Sequence, residues 1–90
     1  MRWFWKISSY DGDKLEFERL IPKGNISEAK MKVLLQHLSA MHLEPEEVIL
    51  SSLRKNATGY LTLLEVRTGL GGLDTISTGH HYTATIQEAP

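Results

Sequence analysis

The stretch from Ile26 to Leu43 constrains the fold most, because it predicts one amphipathic helix. Ser27 is suited to act as the N-cap, with Ile26 and Met31 spaced as the two halves of a hydrophobic staple. The apolar positions that follow have helical spacing and are Met31, Leu34, Leu35, Leu38 and Met41. A stripe of this kind needs an apolar surface to cover it, so the remaining segments must supply that surface.

A second, shorter helix is predicted after Pro45. Proline disfavours helical geometry in the residue before it, so the first helix is expected to end at 42 or 43. Proline at a first helical position, acidic residues after it and basic residues at 54–55 favour a new helix. The apolar and partly β-branched run at 48–50 leaves a strand as the alternative, with the helix favoured narrowly.

An antiparallel hairpin is predicted before the first helix, with strands at 2–10 and 14–21 around the turn residues Asp11-Gly12-Asp13. A loop of odd length, or a bulge, is needed to keep polar and apolar side chains on separate faces. With residue 10 opposite residue 14, the face that receives the helix carries Trp3, Trp5, Ile7, Leu15 and Phe17. Both tryptophans are therefore predicted to be shielded from water.

The second face of this hairpin is predicted to carry an interface. In the same register Phe4 lies opposite Leu20 on the face away from the helix. A strand predicted at 60–68 has apolar residues on both faces, and its Leu61 and Leu63 are expected alongside this pair. If no other segment covers such a patch, it exceeds what a soluble monomer normally exposes, so we expect a homodimer.

The end of the chain completes the predicted fold. A glycine-rich connection at 69–79 is followed by a strand at 80–87, in which apolar and polar residues alternate. The prediction is one α+β domain, residues 1–90, in which an antiparallel sheet packs on one main helix. Its element order is β-β-α-(α or β)-β-β, with two or three strands after the hairpin and helix.

Composition argues against several functional classes. Ten basic and eleven acidic residues give no long-range attraction for nucleic acid or an anionic membrane. The absence of cysteine excludes a disulfide framework and a cysteine zinc site, and it fits a reducing compartment. No stretch approaches the roughly 18 apolar residues of a membrane span. We expect a soluble cytoplasmic protein without a membrane partner.

A candidate ligand site is predicted at the start of the last strand. Adjacent strand residues point to opposite faces, so His80 and His81 cannot share a ligand. His80 lies on the same face as Tyr82, and Thr78 is close by in the preceding loop. Functional groups often lie where a loop meets a strand. These three residues are therefore the candidate site for a small ligand or a metal ion.

The two remaining histidines do not complete a metal site by their spacing. His37 and His42 are five residues apart, about 140° round a helix, which misses the i, i+4 spacing of paired metal ligands. A site between elements, such as His37 with His81, is a minor alternative. No residue is therefore assigned as catalytic, cofactor-binding or metal-ligating, and no cofactor is expected.

Three functional hypotheses follow from these patterns. The leading one is a small cytoplasmic interaction or adaptor module without catalysis, which binds a protein partner or itself. The second is a small-ligand or metal-binding domain with its site at the glycine-rich loop and residues 80–82. The third is nucleic-acid binding through the aromatic and basic side chains of the N-terminal hairpin, which the net charge of −1 disfavours.

Overall fold

A computed structural model describes residues 2–69, 72–75 and 80–89. Its elements in chain order are β1 (Arg2–Asp11), β2 (Lys14–Pro22), a short 3-10 helix (Lys23–Asn25), α1 (Glu28–Ala40), α2 (Pro45–Ser51), β3 (Val66–Gly69), β4 (Gly72–Thr75) and β5 (His80–Ala89). The strands form one antiparallel sheet in the order β2-β1-β5-β4-β3. The predicted α+β class is confirmed, with three strands after the helices.

Helix α1 forms where the sequence predicts it. The Ser27 hydroxyl accepts a hydrogen bond from the Lys30 backbone N–H at 3.2 Å, which is the expected N-cap. Met31 and Leu35 are fully buried. Their partners in the core come from three strands and are Trp5, Ile7, Leu73, Tyr82 and Ala84. Met41 is 76% exposed, because α1 ends one residue before it and the stripe stops there.

Helix α2 confirms the helical alternative for the segment that begins at Pro45. Glu44 is its N-cap and forms a capping box with Glu47. The Glu44 N–H donates to the Glu47 carboxylate at 2.9 Å, and the Glu44 side chain accepts from the Glu47 N–H. Among the described residues, neither α1 nor α2 has the length and apolar character that a membrane span requires.

The strand predicted at 60–68 is wrong over its first part, since β3 begins only at Val66. The preceding residues form turns beside α2, where the Leu61 N–H donates to the Leu50 carbonyl at 3.3 Å. The Gln36 side chain, from α1, donates to the Leu64 carbonyl at 3.0 Å. Backbone groups of this stretch are thus satisfied by the helices rather than by a neighbouring strand.

The connection predicted at 69–79 is also more ordered than its glycines indicate. It contains β4, which pairs with β3 on one side and β5 on the other. Leu73 and Thr75 of β4 point inward and are buried. Residues 70–71 and 76–79 lie outside the described part of the chain.

The β1–β2 hairpin contains the bulge that the sequence offered as an alternative to an odd loop. Ser9 pairs with Phe17 and Tyr10 pairs with Leu15, so Glu16 is the extra residue of β2. The predicted pairing of Tyr10 with Lys14 is therefore wrong. Leu15 lies on the same face as Tyr10, away from α1, whereas Phe17 lies on the α1 face. The two residues would share a face in a regular strand, and the extra residue at the bulge separates them.

Beyond the bulge the register differs by two residues from the predicted one. Ile7 pairs with Arg19 and Phe4 with Pro22, whereas Leu20 pairs with Lys6. A shift of two keeps every side chain on its predicted face. Phe4 and Leu20 therefore still lie on the face away from α1, but diagonally rather than directly opposite.

The two tryptophans differ in burial, so the prediction that both are shielded is wrong for Trp3. Trp5 is 3% exposed and its indole N–H donates to the Ile26 carbonyl at 2.8 Å. Trp3 is 52% exposed, because it lies beyond the first turn of α1 and lines an open groove with Ile26 and Ile86. The helix is too short to cover this end of β1.

Single-tryptophan variants are expected to report this difference. The Trp3→Phe variant retains only the buried indole of Trp5, so its emission should be blue-shifted and resist iodide quenching. The Trp5→Phe variant retains the exposed Trp3, so its emission should be quenched readily. Equal quenching constants for the two variants would contradict the placement of α1 on the sheet.

Candidate functional site

Strand alternation determines which face of the sheet each side chain of the predicted site at the start of β5 lies on. His80 and Tyr82 lie on the face that α1 covers, as the sequence predicts. His81 points to the other face, where its ring stacks on Tyr10 with the centroids 5.0 Å apart. Thr78, the third predicted member, lies outside the described residues.

Two carboxylates approach His80 from the N-terminal hairpin. Asp11, at the end of β1, pairs with His80 across the sheet. The His80 Nε2 is 3.9 Å from an Asp11 carboxylate oxygen and 3.6 Å from a Glu16 carboxylate oxygen. Glu16 reaches this position because it is the bulge residue, and bulges commonly redirect a side chain next to a site.

A second histidine joins the group from the turn after α1. The His42 ring stacks on the His80 ring with a centroid distance of 4.1 Å and an angle of 5° between the ring planes. The His42 Nε2 lies 2.5 Å from the Tyr82 hydroxyl. Asp11, Glu16, His42, His80 and Tyr82 together are called the histidine cluster below.

Tyr82 is the most deeply buried member of the histidine cluster, with 4% of its surface exposed. Burial raises the pKa of the Tyr82 phenol, and the negative charge of Glu16 raises it further, while a hydrogen bond from the Ser9 side chain opposes both effects. The phenol therefore stays neutral at physiological pH and keeps an O–H that can donate to His42. Its backbone N–H donates to the Thr75 hydroxyl at 2.9 Å, which anchors this part of β5 to β4.

The sequence patterns missed most of this cluster. His42 was compared with His37 as if both lay on one helix, but α1 ends at Ala40 and the chain turns towards β5. In the sequence, Asp11 belongs to the predicted turn and Glu16 to the predicted second strand of the hairpin, and neither position indicates a contact with His80. The signal in the sequence is the register mismatch of the hairpin, which requires an odd loop or a bulge, and a bulge redirects one β2 side chain.

A second candidate surface surrounds β2, at the edge of the sheet. Eight of the nine β2 residues are exposed, including Phe17 at 44% and Leu20 at 50%. Phe17 also lines a groove of about 230 Å³ between α1 and the sheet, whose walls are Ile7, Phe17, Arg19, Ile21, Leu34 and Leu38. The edge of β2 and the apolar residues on its two sides are called the β2 surface below.

The four predicted interface residues are divided by the fold. Phe4 is half-buried and lies on the same face as Leu20, so both flank β2 on the side away from α1. Leu61 and Leu63 lie outside the sheet, in the turns that precede β3, which is the edge strand opposite to β2. They therefore do not extend the patch that contains Phe4 and Leu20.

Comparisons with known proteins add no assignment to either surface. No protein-family model matches the chain, and neither a curated protein nor a solved structure does.

Proposed function

We propose that this chain is a small, non-catalytic interaction module that associates with a second copy of itself along β2. The observation that carries this proposal is the position of β2, which is an edge strand and exposes large apolar side chains on both faces. Exposed apolar surface at a long sheet edge favours association, because a second strand can cover it and complete its hydrogen bonds.

The backbone of β2 supplies the polar part of such an interface. Among the described residues, no strand pairs with the outer edge of β2. The bulge at Glu16 and the proline at Pro22 limit the regular part of this edge to residues 17–21. Five residues are enough for strand addition, in which main-chain hydrogen bonds join two sheets into one.

The helix side of β2 supplies the apolar part. The backbone of α1 lies closest to β5, β4 and β3, so the helix sits towards the β3 edge of the sheet, away from β2. This off-centre position leaves the groove between α1 and β2 open, with Phe17 at its outer wall. A two-fold axis perpendicular to the sheet at the β2 edge pairs the two β2 strands antiparallel and places the Phe17 side chains and grooves of both copies on the same face, and twofold dimers are the commonest symmetric assembly.

The amino-acid composition and the burial of the aromatic rings bear on the compartment and on the kind of partner. We place the module in the cytoplasm, because a chain without cysteine needs no oxidising environment. Nucleic acid is a weaker alternative partner, because stacking needs exposed rings and Trp5 is buried in the core. Only Trp3 of the two indoles is available for it.

Analytical ultracentrifugation over a wide concentration range tests this proposal. We expect the wild-type chain to shift from monomer to dimer as its concentration rises. Phe17→Glu places a charge in the groove wall, so it is expected to raise the dissociation constant by a factor of about 30 or more, as for a buried interface anchor. Leu20→Glu tests the opposite side of β2 and is expected to weaken the dimer as well.

Ile49→Glu is the matched control, since Ile49 is 57% exposed but lies on α2, outside the β2 surface. It is expected to leave the dissociation constant unchanged. A wild-type chain that stays monomeric at the highest concentration contradicts the proposal, as does a dimer that Phe17→Glu and Ile49→Glu affect equally. Circular dichroism of each variant verifies that it is folded.

A further inference from the structure

We propose that Asp11, Glu16 and His80 bind a divalent transition-metal ion, with Zn²⁺ as the expected ion. Each residue directs one ligand atom into the same small volume, and these three atoms all lie within 4.8 Å of one another. The set contains one imidazole nitrogen and two carboxylate oxygens. This site lies at the end of the sheet and goes beyond the proposed association along β2.

The distances are close to those of a metal shell. Two ligands with bonds of about 2.1 Å at a tetrahedral angle lie about 3.4 Å apart. The His80 Nε2 is 3.6 Å from Glu16 and 3.9 Å from Asp11, and the two carboxylate oxygens lie within 4.8 Å of each other, so the shell closes with shifts of about 1 Å or less in each carboxylate. Both carboxylates are exposed and have room to rotate by that amount.

The backbone holds the ligands at these positions. His80 and Asp11 are partners in the β1–β5 ladder, and Glu16 is fixed by the bulge of β2. The site is therefore built on three paired strands and not on a loose loop. Ligands on strands keep their geometry better than ligands on loops.

A supporting group orients the histidine ligand. The His42 ring lies parallel to the His80 ring, and the hydrogen bond between His42 and the buried Tyr82 holds it there. Outer groups of this kind fix the ring orientation of metal-binding histidines and affect metal affinity. His42 is thus a positioning residue, and it contributes no ligand atom to the set.

Charge favours a divalent ion at this position, because a divalent ion with two carboxylates and a neutral imidazole leaves a net charge of zero. The imidazole selects against Mg²⁺ and Ca²⁺, which prefer oxygen ligands only. Three protein ligands on an exposed site leave the fourth position of Zn²⁺ to water.

Isothermal titration calorimetry with Zn²⁺ tests the site, on protein from which any affinity tag has been removed. The wild type is expected to bind one ion per chain, and Zn²⁺ is expected to raise its thermal midpoint because the metal binds the folded state. His80→Ala and Glu16→Gln are each expected to weaken binding by more than about tenfold, the lower bound for loss of a group that supports a metal. His42→Ala is expected to weaken it less than His80→Ala does.

His81→Ala is the matched control, because His81 is the adjacent histidine on the opposite face. It is expected to retain the affinity of the wild type, and Mg²⁺ is expected to produce no shift of the midpoint. Glu16→Gln decides the test if His80→Ala fails to fold, since Glu16 is exposed. Absence of saturable Zn²⁺ binding by the wild type overturns the proposal, and so does binding that Glu16→Gln leaves unchanged.

Discussion

Leu35→Ala is expected to lower the free energy of unfolding by about 2 to 5 kcal/mol, which is the usual range for truncating a fully buried leucine. Leu35 has no exposed surface and belongs to the core between α1 and the sheet. The cavity that alanine leaves is enclosed by β-strands, which limits its collapse. Leu34 and Leu38 are half-buried in the groove beside β2, so their truncation is expected to cost less.

Urea unfolding followed by circular dichroism measures this loss. Lys30→Ala is the control on the same helix, and its exposed side chain is expected to change stability by no more than about 0.5 kcal/mol. Equal transition midpoints for Leu35→Ala and Lys30→Ala would mean that the wrong face of α1 had been assigned to the core.

The first helix was predictable because its signals are local. The Ser27 cap, the stripe through Leu35 and the break before Pro45 all lie within one segment, and each acts on neighbouring residues. Local signals of this kind do not depend on the rest of the fold. The same holds for α2, where proline at the first helical position and the charged residues at the two ends correctly favoured a helix over a strand.

Strand positions were harder to predict, because a short apolar run carries no unique period. The leucines of 61–64 satisfy a strand pattern as well as they satisfy turns that pack beside a helix. Only the contact with Leu50 and Gln36 decides between the two, and it depends on the tertiary structure. β4 was not predicted because it has too few apolar residues for a strand pattern. Its one buried leucine, Leu73, lies in a glycine-rich segment that is typical of a loop.

Only part of the histidine cluster could be predicted from the sequence. The shared face of His80 and Tyr82 follows from alternation alone and was predicted. Asp11, Glu16 and His42 come from two other parts of the chain, and a bulge and a helix end place them. Neither the bulge nor the helix end changes the composition or the spacing of these residues, so no local pattern indicates that their side chains meet.

Gly72→Ala is expected to destabilise the fold by about 3 kcal/mol or more, at the upper end of the cost of overpacking. A Cβ atom at position 72 would overlap the Ala84 carbonyl oxygen and lie 2.9 Å from the Thr85 Cα. Both atoms belong to the backbone of β5, so no side chain can move aside. Either β4 separates from β5 or the sheet distorts, and each outcome exposes the buried Leu73.

Gly69→Ala is the matched control, because Gly69 is the direct partner of Gly72 in the β3–β4 pair. A Cβ atom at Gly69 meets no atom of the described residues within 4 Å, so this variant is expected to unfold close to the wild-type temperature. In a thermal melt, Gly72→Ala is expected to lower the midpoint by more than about 10 °C, from the usual relation for a domain of this size. Similar midpoints for the two variants would contradict the close approach of β4 to β5. Because β4 supplies Leu73 to the core, the same melt also tests whether β4 unfolds cooperatively with the rest of the domain.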